Sequence, residues 1–261
     1  MNGPVDASRG DGSPPSAQRR DRSGSQTGGI RNPILERHPR YRGDWRAPFM
    51  DAIRSNLADD AIVLDIGSGR TPSVPRELRR PSNVYVGLDI SRRELERAGK
   101  GAYDRLVVAS ITKRVPELVG TVDLAVSWQV LEHVTPMSLA LQNVHDYLRP
   151  GGMFVAQFSG RWSAFAVPNR LVPYRVARAV LERLLDRDPE TVFPAPYDAC
   201  TSSGMRRLLT NWSSVEIIPR YRGAGYLGFF RPLQWLYLKT EDRLARSHPD
   251  LATHYLLVAR K

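Results

Sequence analysis

A chain of 261 residues, 41% hydrophobic and 25% charged, has enough apolar material for one large α/β domain and lacks the bias of a fibrous or wholly disordered protein. No apolar run approaches the roughly 20 residues that span a bilayer. Residues 1–29 lack the apolar middle of a secretory signal, and the lone Cys200 excludes an internal disulfide, so a reducing cytoplasm is the expected compartment. The formal charge of +11 raises nucleic acid as a partner, but the arginines are spread over stretches such as YRVARAVLERLL. They form no compact basic block and no aromatic-interleaved signature, so a specific nucleic-acid site is not expected.

Residues 1–33 are Gly, Ser, Pro and Arg with almost no large apolar side chains, too little burial to offset the entropy of ordering them. They read as a disordered tail ahead of one domain over 34–261. Beyond His38 the apolar residues recur at helical spacing, with Trp45, Phe49, Ile53 and Leu57 on one stripe, which predicts an N-terminal helix. Strand patterns follow at AIVLDIG (61–67), NVYVGLDI (83–90), DRLVVAS (104–110), VDLAVSWQV (122–130) and, after the turn RPGG, GMFVAQFS (152–159). Helical patterns lie between them at VPRELRR (74–80), SRRELERAGK (91–100) and MSLALQNVHDYL (137–148). Such alternation implies βαβ units and a mostly parallel sheet covered on both faces, a doubly wound α/β fold. A largely helical insertion at about 160–210 then interrupts the pattern, and Pro168, Pro173, Pro194 and Pro196 divide it into short pieces suited to a lid over an acceptor pocket. The pattern resumes with the strand SSVEIIPRY (213–221), an aromatic helix over 226–245 and a last strand THYLLVAR (253–260), which makes seven strands.

The chemistry is concentrated in VLDIGSGR, residues 63–70. A glycine-rich turn leaving the first parallel strand lets a ligand approach the backbone, and ligands of open α/β sheets bind at that edge. Pro72 stands where a dinucleotide site has its third glycine, which argues against NAD. Asp65, two positions ahead of Gly67, repels phosphates and suits a cationic ligand. Asp89, ending the second strand in GLDIS, can accept both hydroxyls of a ribose.

VLDIGSGR, VGLDIS, VDLAVSWQVLEHV and LRPGGMFV, in this order, resemble the motifs of class I S-adenosylmethionine-dependent methyltransferases, the small-molecule acceptor, type 11-like group in particular, over about residues 41–159. The resemblance implies a seven-stranded Rossmann-like fold and S-adenosyl-L-methionine as cofactor. It implies that Asp65, Gly67 and Gly69 cradle the methionine part, with Asp65 near the ammonium. Asp89 would hold the ribose, Ile90 would pack on the adenine, Ser110 and Ile111 would border the adenine edge, and Gln129 the sulfonium end. Thr71 and Ser110 depart from the family, standing where a third glycine and an adenine-binding aspartate are usual.

His133 beside such a site is a candidate catalytic base for a hydroxyl acceptor, or else a packing residue beneath it, with Glu132 orienting the loop. No metal-ligand spacing occurs among the five histidines and one cysteine, so no metal site is expected. The aromatic stretch at 226–240, with Arg231 and Lys239, is either a helix packed on the sheet or a peripheral membrane edge receiving a lipid-linked acceptor. The resulting expectation is O-methylation of a small or lipid- or glycan-linked acceptor. The alternatives are an RNA methyltransferase or a catalytically silent cofactor-binding module. Because the buried stripe begins only at Trp45, deleting residues 1–30 should leave the thermal midpoint nearly unchanged; a fall of many degrees in a melting curve would show that the tail docks on the domain.

Overall fold

A computed structural model describes residues 32–163, 166, 195–228 and 230–261. The expected tail, apart from its last two residues, and most of the expected lid lie outside these residues.

Seven strands form one sheet: β1 Ile62–Ile66, β2 Val84–Asp89, β3 Arg105–Val108, β4 Val122–Trp128, β5 Leu148–Ser159, β6 Ser214–Arg220 and β7 His254–Arg260. Their order is β3-β2-β1-β4-β5-β7-β6. The first five run parallel, and β7 enters between β5 and β6 antiparallel to both. The doubly wound α/β class read from the sequence is therefore the fold observed. The order reverses between β1 and β4, and a ligand crevice opens at such a switch point, beyond the carboxyl ends of the strands.

Both faces of the sheet are covered, which explains the mostly apolar runs of β1 and β4. Val63, Leu124, Val126 and Val155 meet Phe49, Met50 and Ile53 of the helix α2, Ala47–Asn56. On the opposite face Leu64, Ile66, Ala125 and Phe154 pack with Met137, Ala140, Leu141 and Val144 of α4, Met137–Tyr147. Tyr147 is wholly buried; its hydroxyl accepts the Val115 N–H at 2.9 Å and donates to the Lys113 carbonyl at 3.1 Å, tying the β3–β4 connection to α4.

Several helices are shorter than the sequence pattern suggests, for identifiable reasons. The N-terminal helix begins at Ala47, with Pro48 in its first turn, so Trp45 precedes it and is free to pack elsewhere. A separate short helix α1 covers Pro33–Arg37. The expected helix at 74–80 is a single 3-10 turn, Arg76–Leu78. The helix α3, Arg92–Glu96, is capped by the Ser91 side chain and stops before the left-handed Gly99 and Gly101. Within the expected insertion, the described helix is α5, Ser202–Leu208, whose N-cap Thr201 accepts the Gly204 N–H at 3.0 Å. The aromatic segment is a 3-10 turn, Ala224–Leu227, followed by α6, Arg231–Leu244, which starts with Pro232 in its first turn.

A buried carboxylate fastens the N-terminal segment to this frame. Glu241 of α6 accepts the Gly223 N–H (2.6 Å) and the Thr253 hydroxyl (3.2 Å) on Oε1, and the Tyr41 hydroxyl (2.7 Å) on Oε2. His38 and Arg40 both reach Oδ1 of Asp242, at 3.1 and 2.8 Å. Residues 38–46 are thereby held across the exit of β6 and the entry of β7.

Candidate active site

The chain leaves β1 through Gly67 (φ +67°) and Gly69 (φ +53°), backbone conformations that side chains disfavour. A Cβ on Gly67 would stand 2.5 Å from Val130 Cγ1, so the turn is pressed against the exit of β4. Asp65 lies beneath the turn, 1% exposed, where Oδ2 accepts the Ser73 N–H at 2.6 Å and the Tyr103 hydroxyl at 3.4 Å, while Oδ1 has no partner. Burial pushes its pKa up to about 6 against the pull of the Ser73 bonds and Arg79. Most of this carboxylate therefore anchors the loop, and Oδ1 is what it offers a ligand.

Asp89 is half-buried at the end of β2. Its Oδ2 accepts the Gly69 N–H at 3.0 Å and its Oδ1 the Ser91 N–H at 2.8 Å, joining the glycine turn to the start of α3. Burial raises its pKa and the two N–H bonds counter the rise. Each oxygen retains acceptor capacity toward solvent. Ile90 beside it is 59% exposed, an apolar platform at the rim. Ser110 turns its hydroxyl to Thr112 Oγ1 at 2.8 Å. Ile111 does not present its side chain to the rim: it is buried in the core, and its carbonyl accepts Asn143 Nδ2 at 2.7 Å.

Across the switch point, Gln129 is left-handed (φ +56°) and donates its N–H to the Gln157 carbonyl at 2.7 Å. Its Oε1 accepts the Ser159 hydroxyl at 2.8 Å, and its Nε2 is buried without a partner. Glu132 is buried, which raises its pKa; Oε1 takes the Ser159 N–H at 3.3 Å and its carbonyl takes the Tyr197 N–H at 3.1 Å. It thus ties the 3-10 turn Leu131–His133 to the end of β5. His133 is exposed on that turn.

One layer of the rim was not evident in the sequence. Trp45 stacks edge-on to His254 (ring centroids 4.5 Å apart) and to Trp128 (6.2 Å). Arg46 lies 4.8 Å over Trp128 and donates Nη2 to the Ser73 carbonyl at 2.9 Å, while its Nε is buried without a partner. Arg220 and Arg222 lie 4.6 and 5.6 Å over Trp45. The available signal was the spacing R-Y-R at the end of a strand, which puts both arginines on one face.

The chain matches the family model described as a methyltransferase domain over residues 38–214. No curated protein sequence matches it. Among solved structures it is similar to phosphoethanolamine N-methyltransferase 2 of Haemonchus contortus in complex with S-adenosyl-L-methionine (TM-score 0.52, 13% identity, 84% of this chain and 53% of that one). It is also similar to geranyl diphosphate C-methyltransferase of Streptomyces coelicolor (0.50, 16%, 82% and 74%) and to a Bordetella parapertussis protein (0.51, 14%, 83% and 66%). The chain spans about half to two thirds of the length of the first structures it matches. The fold is that of a class I, Rossmann-like methyltransferase. The chain belongs to the methyltransferase-domain family.

His254 gives the rim a pH signature. Burial, followed by Arg220 and Arg222, lowers its pKa from 6.5 to about 3, so the folded protein holds it neutral. Between pH 3 and 6.5 the unfolded chain binds a proton here that the folded one refuses; this contribution is complete above 6.5 and lost as pH falls. Asp65, raised to about 6, has the opposite slope between pH 4 and 6. Comparing wild type with His254→Gln cancels Asp65. The wild type should lose about 2 kcal/mol more than the variant between pH 8 and pH 5 in urea unfolding; parallel profiles would show that His254 is protonated in the fold.

Proposed function

We propose that this rim binds S-adenosylmethionine and transfers its methyl group to an oxygen of a small or lipid-linked acceptor. The observation that carries the reading is Asp89, set at the end of β2 between the left-handed Gly69 and the exposed Ile90. A carboxylate there can accept ribose hydroxyls while Ile90 packs on the base. The other end of the cofactor has matching orphans. Asp65 Oδ1 and Arg46 Nε are an unpartnered acceptor and donor, and both side chains bind the Ser73 backbone, Asp65 its N–H and Arg46 its carbonyl. They suit the ammonium and carboxylate of an amino acid.

Bound in this way, S-adenosylmethionine would supply an electrophilic methyl group on a sulfonium. What remains for the chain is alignment and exclusion of water. Gln129 borders the sulfonium end, its side chain held by Ser159. Glu132 fixes the turn that carries His133, and His133 is the imidazole that this turn offers to a hydroxyl losing its proton. The matched structures bear names of N- and C-methyltransferases, and at their low identity they support the fold alone; oxygen as the methylated atom is our reading.

The lipid-linked alternative draws support from α6 and the turn before it. Phe230, Leu233, Trp235 and Leu236 are exposed there, and Lys239 lies 5.7 Å over the Trp235 ring. Aromatic and aliphatic side chains beside cations suit a membrane interface.

Asp89→Ala should weaken S-adenosylmethionine binding roughly tenfold to a few hundredfold, since hydrogen bonds to a charged group contribute about 1.5–3 kcal/mol each and water replaces part of them. It should also lower the melting temperature by a few degrees, because the Gly69 and Ser91 N–H groups lose their acceptor, whereas Asp89→Asn, which keeps one acceptor, should be milder in both. Calorimetric titration of S-adenosylmethionine beside melting curves measures the two effects, and a stability loss with unchanged affinity would reduce Asp89 to a cap. For the membrane edge, anionic vesicles should sediment the wild type but not a Trp235→Ser/Leu236→Ser double variant; equal recovery in the pellet would leave α6 a soluble face.

A further inference from the structure

The exit of β6 gathers hydrogen-bond donors and positive charge, with no carboxylate in ion-pair contact among the described residues. Arg220 and Arg222 share the Trp45 ring, and neither forms an ion pair among the described residues. Burial, and after it the like charge of Arg222, lowers the Arg220 pKa to about 10. The acid that offsets either guanidinium is the exposed Asp44. Behind them His254 is neutral, with Nδ1 unpartnered. Gln157 is wholly buried; its Oε1 is taken by Arg220 Nη1 at 2.9 Å, and its Nε2 has no partner. Register places these groups side by side: Arg220 pairs with His254, His254 with Ser159, and Gln157 with Trp128.

Holding two like charges together beside a buried amide N–H is unfavourable until something brings acceptor oxygens and negative charge. A neutral polyol would satisfy donors but not charge. A carboxylate would fill one guanidinium fork. Arg220 Nη1 is engaged by Gln157 and Arg222 Nη2 by the Tyr41 carbonyl at 3.0 Å, and the remaining N–H groups of two guanidiniums on one aromatic face fit a group with several oxygens and a charge near −2. We propose that Arg220 and Arg222, with Gln157 Nε2, form a subsite for a phosphate or diphosphate group carried by the methyl acceptor. The assignment to the acceptor rests on the proposed function, because Gln157 accepts the Gln129 N–H and so adjoins the sulfonium end. The anion site itself does not depend on that reading.

The test uses the full chain in 150 mM salt, with inorganic pyrophosphate as the probe titrated calorimetrically, with and without S-adenosylhomocysteine. A second arm, in the Trp235→Ser/Leu236→Ser background that removes vesicle binding through α6, measures sedimentation with phosphatidylcholine vesicles with and without phosphatidic acid, which separates a free phosphoryl group from a lipid-borne one. Saturable binding in either arm should fall about tenfold to a hundredfold in Arg220→Gln and in Arg222→Gln, with S-adenosylhomocysteine affinity unchanged. Arg220→Lys, which keeps the charge and loses the fork, should fall between, and it decides the matter if the Gln variants do not fold. Absence of binding in the wild type in both arms, or equal binding in the variants, overturns the subsite. Intact pyrophosphate binding in a protein that does not bind S-adenosylhomocysteine overturns the proposed function and leaves the anion site standing.

Discussion

The rim depends on carboxylates that hydrogen-bond to backbone N–H groups of a glycine turn. Gly67 and Gly69 adopt left-handed angles open to glycine, and a flexible turn of this kind needs partners that hold one conformation. Here Asp65 takes the Ser73 N–H from below and Asp89 takes the Gly69 N–H from the side. Both acids sit in surroundings that raise their pKa, and both are kept useful as acceptors by the donors they hold. The same carboxylates that fix the loop are thus the ones a cationic or hydroxylated ligand would address. Loop geometry and ligand chemistry are coupled, so a change to either acid alters both.

A second set of buried polar groups organises the other half of the rim. Glu241 satisfies three donors from three separate segments and holds Tyr41 and its neighbours over the sheet edge. Trp45 is delivered to that edge as a consequence, and the arginines of the β6 exit gather on it. Glu132 does the equivalent for the exit of β4, binding the Ser159 N–H. Buried carboxylates in this protein are placed where chain segments meet, and each has backbone or hydroxyl donors to offset its desolvation.

How much was legible in the sequence follows the range of the interactions. β1, β2 and β4 announce themselves because both faces are buried, and the glycine turn and Asp89 because their spacing is local. The helix limits are less legible: the periodicity through Trp45 continues past the point where Pro48 starts the helix, and the aromatic run after Tyr226 conceals a break before Pro232. Glu241 looks like an ordinary surface acid in a helical pattern; only tertiary contacts bury it. Ile111 follows a motif position yet points into the core, because its strand ends one turn earlier. Arg220, His254 and Gln157 lie on three strands far apart in the chain, and nothing in any one strand reveals that they meet.

Strand order has a further consequence for how the chain acquires its structure. β7 is made after β6 yet lies inside the sheet, between β5 and β6. Until His254–Arg260 has been synthesised, β6 has no neighbour in the sheet and β5 has an open edge, apolar from Phe154 to Phe158 except for Gln157. Any sheet that the first five strands form ahead of β7 has β5 as an unsealed edge, and exposed edges of that kind invite pairing with other chains. The arginine half of the rim is complete only once β7 lies between β5 and β6, whereas the glycine half is built from β1, β2 and β4 alone.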